Sequence, residues 1–162
     1  SSISWESVHR TRCKKMITYR SLQPSDMKRI MEIEARAFVD PWSPQAFRLT
    51  RSYASWVCLE DELLIGYCIC LIVEDEASIA NIAIEPAYQH KGYGTGLLQH
   101  SLEELKMMGA RKIYLDVRRS NIAALMLYSK FGFRTMGIRK NYYDTPPEDA
   151  LVMCWEDTDE RI

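Results

Sequence analysis

Residues 81–96 read NIAIEPAYQHKGYGTG, an apolar stretch followed by a proline and then by a glycine-rich loop. The apolar stretch completes a predicted strand over Ala77–Ile84, which Pro86 closes. The spacing of apolar residues after the loop predicts a helix over Gly94–Met108, and Gly109 supplies its stop. A strand followed by a helix of this length predicts a crossover connection, and therefore a sheet that is parallel in part.

The glycine-rich loop has the chemistry of an anion site. Glycines let the backbone approach an anion closely, the first amides of a helix have no partner inside it, and the helix dipole adds positive potential. Lys91 adds a positive charge to the same loop. The spacing is neither that of a Rossmann G-x-G-x-x-G loop nor that of a P-loop, so a nucleotide-binding module or kinase is disfavoured. On this segment alone, an ordinary turn before a helix is the alternative.

Periodicity outside this segment predicts further strands and helices in the order βααβββαβαββ. The predicted strands are Ile17–Leu22, Trp56–Leu59, Leu63–Val73, Ile113–Val117, Phe133–Ile138 and Ala150–Trp155; the predicted helices are Met27–Ala37, Pro44–Thr50 and Asn121–Phe131. This order predicts an α/β protein of the α+β type, with a mixed, mostly antiparallel sheet of about six to seven strands flanked by about four helices. Glu34 falls within the apolar stripe of the first helix, and we expect a buried carboxylate with hydrogen-bond partners there.

Composition limits the classes of protein to which the chain can belong. Its 162 residues are 47% hydrophobic and 27% charged, which predicts one globular domain. We expect a flexible arm or cloning remnant at 1–15, the domain at 16–155 and an acidic tail at 156–162. The formal net charge of −1 favours neither nucleic acid nor an anionic membrane as a partner. The longest apolar run, Ile65–Val73, is about half as long as a membrane-spanning helix.

The five cysteines, Cys13, Cys58, Cys68, Cys70 and Cys154, include no C-x-x-C pair and no histidine at metal-ligand spacing. Several lie in apolar runs, where a buried free thiol is the usual state. The sequence therefore predicts no metal and no catalytic thiol. An odd number of cysteines without a disulfide framework favours a reducing, cytoplasmic location.

The pattern Q-x-x-G-x-G before a helix resembles the acyl-coenzyme A site of the GCN5-related N-acetyltransferase (GNAT) superfamily. The resemblance continues through LDVRRSN at 115–121, Ala123-Ala124, Leu127-Tyr128, Gly132-Phe133, Asn141-Tyr142-Tyr143 and Glu148-Asp149-Ala150. This set is similar to the RimI-like ribosomal-protein alanine acetyltransferases and their archaeal relatives, and it covers nearly all of 16–153. It implies a GNAT fold whose parallel strands splay at the acetyl-coenzyme A site. It also implies direct transfer of acetyl to the N-terminal amine of a protein or peptide, with the ribosome or a complex as a candidate partner.

The resemblance assigns coenzyme contacts to the splayed strand, the loop and two later residues. These are Ile82, Ala83, Ile84, Gln89, His90, Lys91, Gly92, Tyr93, Gly94, Thr95, Gly96, Asn121 and Tyr128. Without the resemblance, Asn121 would be interpreted as a helix cap.

The resemblance also implies three catalytic residues. Tyr128 corresponds to the tyrosine that returns a proton to the departing thiolate, although its position on an apolar stripe equally fits a core residue. Asp116 stands where these enzymes usually carry glutamate, which helps to deprotonate the amine; the alternative is an aspartate paired with Arg118 or Arg119. Asp40 is the second candidate base, and its alternative is a turn-forming aspartate before proline.

Substrate contacts are expected from Phe38, Asp40, Pro41, Asn81, Tyr142 and Tyr143. The paired tyrosines resemble those at the peptide entrance of N-terminal acetyltransferases, and surface packing is the alternative. A peptide α-amine titrates near ~7.7–8.0 and a lysine near ~10.4, so the α-amine is the easier nucleophile by about 3.5 kcal/mol. The alternative functions are a small-amine or lysine acetyltransferase of the same fold, and a noncatalytic coenzyme A sensor.

Overall fold

The computed structural model describes residues 15–50 and 54–158, which form one seven-stranded sheet with helices on both faces. The strands are β1 (Ile17–Ser21), β2 (Ser55–Glu60), β3 (Leu63–Val73), β4 (Glu76–Ile84), β5 (Lys112–Arg118), β6 (Arg134–Asp144) and β7 (Pro147–Glu156). The helices are α1 (Met27–Ala37), α2 (Pro44–Thr50), α3 (Tyr93–Met107) and α4 (Ile122–Lys130). This order of elements confirms the predicted fold class. Residues 1–14 of the predicted arm and 159–162 of the predicted tail lie outside the described residues.

The strands lie in the order β1-β2-β3-β4-β5-β7-β6. Neighbours pair antiparallel except β4 and β5, which are parallel, so the predicted mixed sheet is confirmed. The crossover through α3 joins the two parallel neighbours. The crossover through α4 does not, because β7 inserts between β5 and β6. No helix within the described ranges is long and apolar enough to cross a membrane.

Two hydrophobic clusters hold the helices against opposite faces of the sheet. Leucines of α3 pack with buried residues of β2 to β5 and β7 on one face. On the other face, Ile30 and Ile33 of α1 and Phe47 of α2 pack on β2, β3 and β4. The corresponding face of β5 carries Asp116 and Arg118, which are only partly buried. Among the described residues, helices therefore cover one half of this second face and leave the β5 side open.

The sheet splits where β4 and β5 run side by side. Glu76–Ile79 pairs with residues 112–115 of β5, and the pairing ends there although both strands continue. The pairing of β4 with β3 shifts register between Ile69 and Cys70, which leaves Ala80 as a bulge residue at the same point. A bulge bends its strand, so β4 turns away from β5 beyond Ile79. The splay that the resemblance implies has its local cause in this bulge.

The β6–β7 hairpin is longer than the sequence predicts, because β6 continues to Asp144 and β7 begins at Pro147. The extra length is held by a bond within the hairpin, from the Asn141 amide to Asp149 Oδ1 (2.8 Å). Arg118 of β5 also donates to the carbonyls of Thr145 (2.9 Å) and Pro146 (3.0 Å). The paired tyrosines at 142 and 143 therefore lie on a strand and not in a loop.

Candidate active site

The start of α3 presents free amides at the open end of the splayed strands. Gly92 is the N-cap, with a left-handed φ of 88°, and the first main-chain bond of the turn runs from the Gly96 amide to the Gly92 carbonyl (3.2 Å). Within the described ranges, the amides of Tyr93, Gly94 and Thr95 have no acceptor. Unpaired amides and the positive end of the helix dipole are the features that an anion site requires.

The glycines of this turn serve different purposes. A Cβ added at Gly92 would meet nothing within 4 Å, but the left-handed φ favours glycine there. A Cβ at Gly96 would overlap the Tyr19 hydroxyl on β1. Gly96 is therefore required by the close packing of α3 on the sheet.

Gly96→Ala is expected to destabilise the fold by about 1–3 kcal/mol, because the new methyl group must displace the Tyr19 hydroxyl. Adding Tyr19→Phe should recover much of that loss, since the next nearest atom, Tyr19 Cζ, lies 3.6 Å from the added Cβ. Gly94→Ala is the matched control, because its Cβ would meet Ile84 at an ordinary 3.7 Å. Urea unfolding of the three variants checks this, and no rescue by Tyr19→Phe would contradict the packing explanation.

Two side chains of the loop form hydrogen bonds with other residues of the protein. Gln89 Nε2 donates to the Ile84 carbonyl (3.0 Å) and ties the loop to the end of β4. The Tyr93 hydroxyl donates a hydrogen bond to Glu60, which also forms an ion pair with Lys15 (3.0 Å). The Tyr93 hydroxyl and Lys15 lower the pKa of the Glu60 carboxyl. These side chains help to set the shape of the loop, and the coenzyme contacts of Gln89 and Tyr93 stay a prediction.

His90 and Lys91 lie exposed at the tip of the loop. His90 has a left-handed φ of 63°, and Lys91 Nζ lies 5.7 Å from the centre of the Tyr88 ring. Both side chains are exposed, and Lys91, directly before Gly92 in the sequence, adds a positive charge to the loop.

Tyr128 combines a core position with an unpaired hydroxyl. The residue is 8% exposed, and its ring packs edge-on against Phe133, with centroids 5.8 Å apart. Burial raises the pKa of the phenol, and the nearby Cys68 and Tyr143 raise it further. Cys68 pairs with Ile82 on the splayed part of β4, so Tyr128 lies near the split in the sheet. No described residue forms a hydrogen bond with its hydroxyl.

Asp116 lies on the open face of β5 with its side chain 29% exposed. Its Oδ1 accepts a hydrogen bond from Arg139 Nε at 3.1 Å. The alternative prediction, that Asp116 pairs with Arg118 or Arg119, is wrong. Both arginines form ion pairs with residues of the β6–β7 hairpin instead. Arg139 on β6 pairs with Ala150 of β7, the strand that lies between β6 and β5. The Arg139 side chain lies on the same face of the sheet as Asp116. Asp116 is therefore ion-paired, yet still open to solvent.

The paired tyrosines form a wall beside Asp116. Their rings meet edge-on at 5.1 Å, and the Arg118 guanidinium lies 4.2 Å from the centre of the Tyr143 ring. Burial raises the pKa of Tyr143, and the charge of Asp116 raises it further. Tyr142 is 50% exposed. The structure thus gathers the tyrosine pair, Asp116 and Tyr128 in one region.

The segment after α1 is largely exposed. Phe38 is 37% exposed and Val39 80%, while Asp40 and Pro41 are also exposed. Within 15–50 and 54–158, the Asp40 carboxylate forms no ion pair or hydrogen bond. No contact joins Asp40 to Asp116 or Tyr128, so its place in the site stays a prediction.

Glu34 is a buried carboxylate for which the sequence offered only a weak signal, an acid in an apolar stripe. It is 2% exposed and accepts hydrogen bonds from the Tyr67 hydroxyl, from Asn81 Nδ2 (2.8 Å) and from the Trp42 amide (2.9 Å). The expectation of a buried, partnered carboxylate is confirmed. The side-chain nitrogen of Asn81, expected at the substrate, is engaged with Glu34.

Asn121 caps α4, because its Oδ1 accepts a hydrogen bond from the Ala124 amide at 3.1 Å. The helix-cap interpretation is confirmed. The contact between Asn121 and the coenzyme stays a prediction, for which the side-chain nitrogen is left.

Cys58, Cys68, Cys70 and Cys154 are buried free thiols, while Cys13 lies outside the described residues. The Sγ atoms of Cys68 and Cys70 are 3.6 Å apart on one strand. In the part of the chain that the structure describes, no group of His, Cys, Asp and Glu is arranged to hold a metal ion.

Comparison with known proteins supports the interpretation of this geometry. The acetyltransferase (GNAT) family model matches residues 27–133. The chain is 42% identical over 144 residues to the putative [ribosomal protein bS18]-alanine N-acetyltransferase of Bacillus subtilis (strain 168), covering 86% of this chain and 95% of the relative. It is 38% identical over 143 residues to the corresponding enzyme of Escherichia coli (strain K12), covering 86% and 97%.

The crystal structure of the ribosomal-protein-S18-alanine N-acetyltransferase from Escherichia coli superposes with a TM-score of 0.84 at 35% identity, covering 91% of this chain and 99% of that one. The family match, the full-length relatives and the shared fold agree with the motifs at 81–96 and 115–121. The chain belongs to the acetyltransferase (GNAT) family.

Proposed function

We propose that this chain transfers an acetyl group from acetyl-coenzyme A to the N-terminal α-amine of a protein, with a ribosomal protein in the cytoplasm as its target. Similarity over nearly the whole chain carries the proposal. The relatives named as ribosomal-protein alanine N-acetyltransferases are 38–42% identical and are covered over 95–97% of their length. An open, aromatic-walled face beside Asp116 is consistent with a peptide substrate.

The coenzyme site is formed by the start of α3 and by the splay. The free amides of Tyr93, Gly94 and Thr95 suit a pyrophosphate. Beyond Ile79, the edge of β4 that faces β5 has no partner strand in the described part of the chain, so its backbone suits the amides of an extended pantetheine arm. The donors therefore fit acetyl-coenzyme A.

The proton steps fall to Asp116 on the open face of β5 and to Tyr128 in the cluster on the other face of the sheet. Asp116, directly or through a water, accepts a proton from the substrate ammonium, and the neutral amine then attacks the thioester carbonyl. As the C–S bond breaks, the thiolate takes the proton of the Tyr128 hydroxyl. The attacking nitrogen gives up its second proton as it becomes the amide, and this proton returns through water to the Tyr128 phenolate. A free phenol titrates near ~10 and a thiol near ~8.5, so this transfer needs a favourable environment. Burial raises the pKa of the Tyr128 phenol. A coenzyme thiolate formed in the same buried surroundings has its pKa raised for the same reason, so burial does not by itself widen the gap between donor and acceptor.

Thr95→Glu should have opposite effects on stability and on coenzyme binding. A carboxylate in the first turn of α3 should stabilise the helix by about 0.3–1 kcal/mol, because it complements the free amides and the dipole. The same charge should raise the KM for acetyl-coenzyme A about tenfold or more by repelling the pyrophosphate. Melting temperature and thiol release measure the two effects.

Thr95→Gln is the neutral control for this substitution, because it has nearly the same size. It should leave the KM for acetyl-coenzyme A within about threefold of that of the unchanged chain, since no charge is added. An unchanged KM in Thr95→Glu, despite a higher melting temperature, would place the phosphates elsewhere.

The substrate class is tested by assaying thiol release and product mass with acetyl-coenzyme A. Peptides differing at residues one and two are compared with N-terminally blocked lysine peptides and with free amines such as polyamines. Acetylation of free N-termini, with a preference for alanine or serine at residue one, is expected. Thiol release with free amines alone would favour a small-amine acetyltransferase. Coenzyme binding without turnover on any amine would favour a sensor.

A further inference from the structure

Glu34 joins the sheet to the loop between α1 and α2, residues 38–42, which we call the substrate loop. We propose that Glu34 is a positioning residue that fixes the substrate loop against the splayed part of β4. The inference rests on the proposed function for the role of the loop as one wall of the peptide site. The tie itself is a property of the fold and is tested separately below.

Both ends of the substrate loop are bonded to this one residue. The Glu34 carbonyl accepts the amide of Phe38 at 3.1 Å, and Glu34 Oε2 accepts the amide of Trp42 at 2.9 Å. Between these points Val39 is 80% exposed, and Asp40 has no partner among the described residues. The position of the exposed segment therefore depends on the two bonds at its ends.

The two carboxylate oxygens face different parts of the protein. Oε2 serves the substrate loop, while Oε1 accepts the Tyr67 hydroxyl of β3 and Asn81 Nδ2 of β4. Asn81 directly follows the bulge residue Ala80, where β4 leaves β5. The carboxylate thus links the substrate loop to the part of β4 that borders the split.

Core packing alone does not account for an acid at this position. The neighbouring stripe residues Ile30 and Ile33 are fully buried, and a leucine at 34 would continue the apolar stripe. A buried carboxylate is costly unless donors surround it, and apolar replacement of such networks is often neutral or stabilising. What the acid supplies, and a leucine would not, is the bond to the Trp42 amide.

The position of α1 does not depend on Glu34 alone. Arg36 near the end of the helix forms a bidentate ion pair with Glu85 at the end of β4, with distances of 2.7 and 2.9 Å. Arg29 reaches the Leu64 carbonyl at 3.1 Å. Removing the Glu34 carboxylate should therefore release the substrate loop while α1 stays in place.

The main test is the double variant Glu34→Leu/Tyr67→Phe, which replaces the buried acid and its phenol partner by apolar groups. Tyr67→Phe alone is the matched control, because it keeps the bond to the substrate loop. In the double variant, kcat/KM for peptide should fall about tenfold, while the KM for acetyl-coenzyme A stays within about twofold and the melting temperature is kept. Glu34→Gln retains an acceptor for the Trp42 amide and should recover most of the activity.

A readout independent of activity separates this inference from the proposed function. In the unchanged chain, hydrogen exchange at the Trp42 amide should be at least about a hundredfold slower than at the exposed Val39 amide. In the double variant the Trp42 amide should lose that protection. Equal exchange at the two amides of the unchanged chain, or unchanged peptide kinetics in a folded double variant, would overturn the inference. If no peptide is acetylated by any form, the exchange result still decides whether Glu34 holds the loop.

Discussion

Tyr128→Phe is expected to lower kcat/KM by about 10²–10⁴-fold, the usual contribution of a positioned general acid. The hydroxyl is the only group lost, and it has no hydrogen-bond partner among the described residues. The buried ring keeps its packing on Phe133. Stability should therefore change little while the departing thiolate loses its proton donor. Thiol release over a range of peptide concentrations, with a urea unfolding curve, measures both effects.

The pH dependence of stability gives a second check on Tyr128. Burial raises the pKa of this phenol in the folded protein above the ordinary value of about 10. The folded state then holds the proton more tightly than the unfolded chain does, so the stabilisation is complete below about pH 10 and is lost above it. The phenol stays protonated at neutral pH, as a donor must. Tyr114→Phe on β5 is the control variant for both stability and turnover. Near-normal turnover in Tyr128→Phe would show that Tyr128 is a core residue and not the proton donor.

Asp116→Asn is expected to lower kcat/KM about 10²-fold at pH 7, because the substrate ammonium then loses its base. The deficit should shrink as the pH rises from about 7 to about 9, since an α-amine with a pKa near ~8 deprotonates without help. Asp116→Glu should retain activity, because it keeps the carboxylate and reaches about one methylene further. A pH series of kcat/KM on one peptide checks all three expectations.

Two variants separate the base from its surroundings. Arg139→Gln breaks the 3.1 Å ion pair but keeps the Asp116 carboxylate, so it should not reproduce the pH-dependent deficit. Asp40→Asn tests the second candidate base. A deficit that shrinks with rising pH in Asp40→Asn, and not in Asp116→Asn, would move the base role to Asp40.

The features that the sequence predicts are those encoded locally. The strand, loop and helix at 81–96 have their signals within a few residues, and the order of elements follows from periodicity. The extension of the β6–β7 hairpin past Ile138 has no such signal, because Arg118 on β5 holds its turn from a distant position in the sequence.

The sequence does not predict the partners of Asp116 and Glu34, because those partners also lie far away along the chain. Arg139 is 23 residues from Asp116, and Asn81 is 47 residues from Glu34. The strand order that places β7 between β5 and β6 decides which arginine reaches Asp116. Local sequence therefore indicates only the nearby Arg118 and Arg119 as partners of Asp116.

The most direct test of the central claim uses one peptide that carries both a free N-terminal alanine and an internal lysine. The chain and acetyl-coenzyme A are incubated with it near neutral pH, and fragmentation mass spectrometry locates the acetyl group. Acetyl on the alanine α-amine, lost in Tyr128→Phe, is the predicted result. Acetyl on the lysine side chain, or equal modification by the unchanged chain and by Tyr128→Phe, would contradict it.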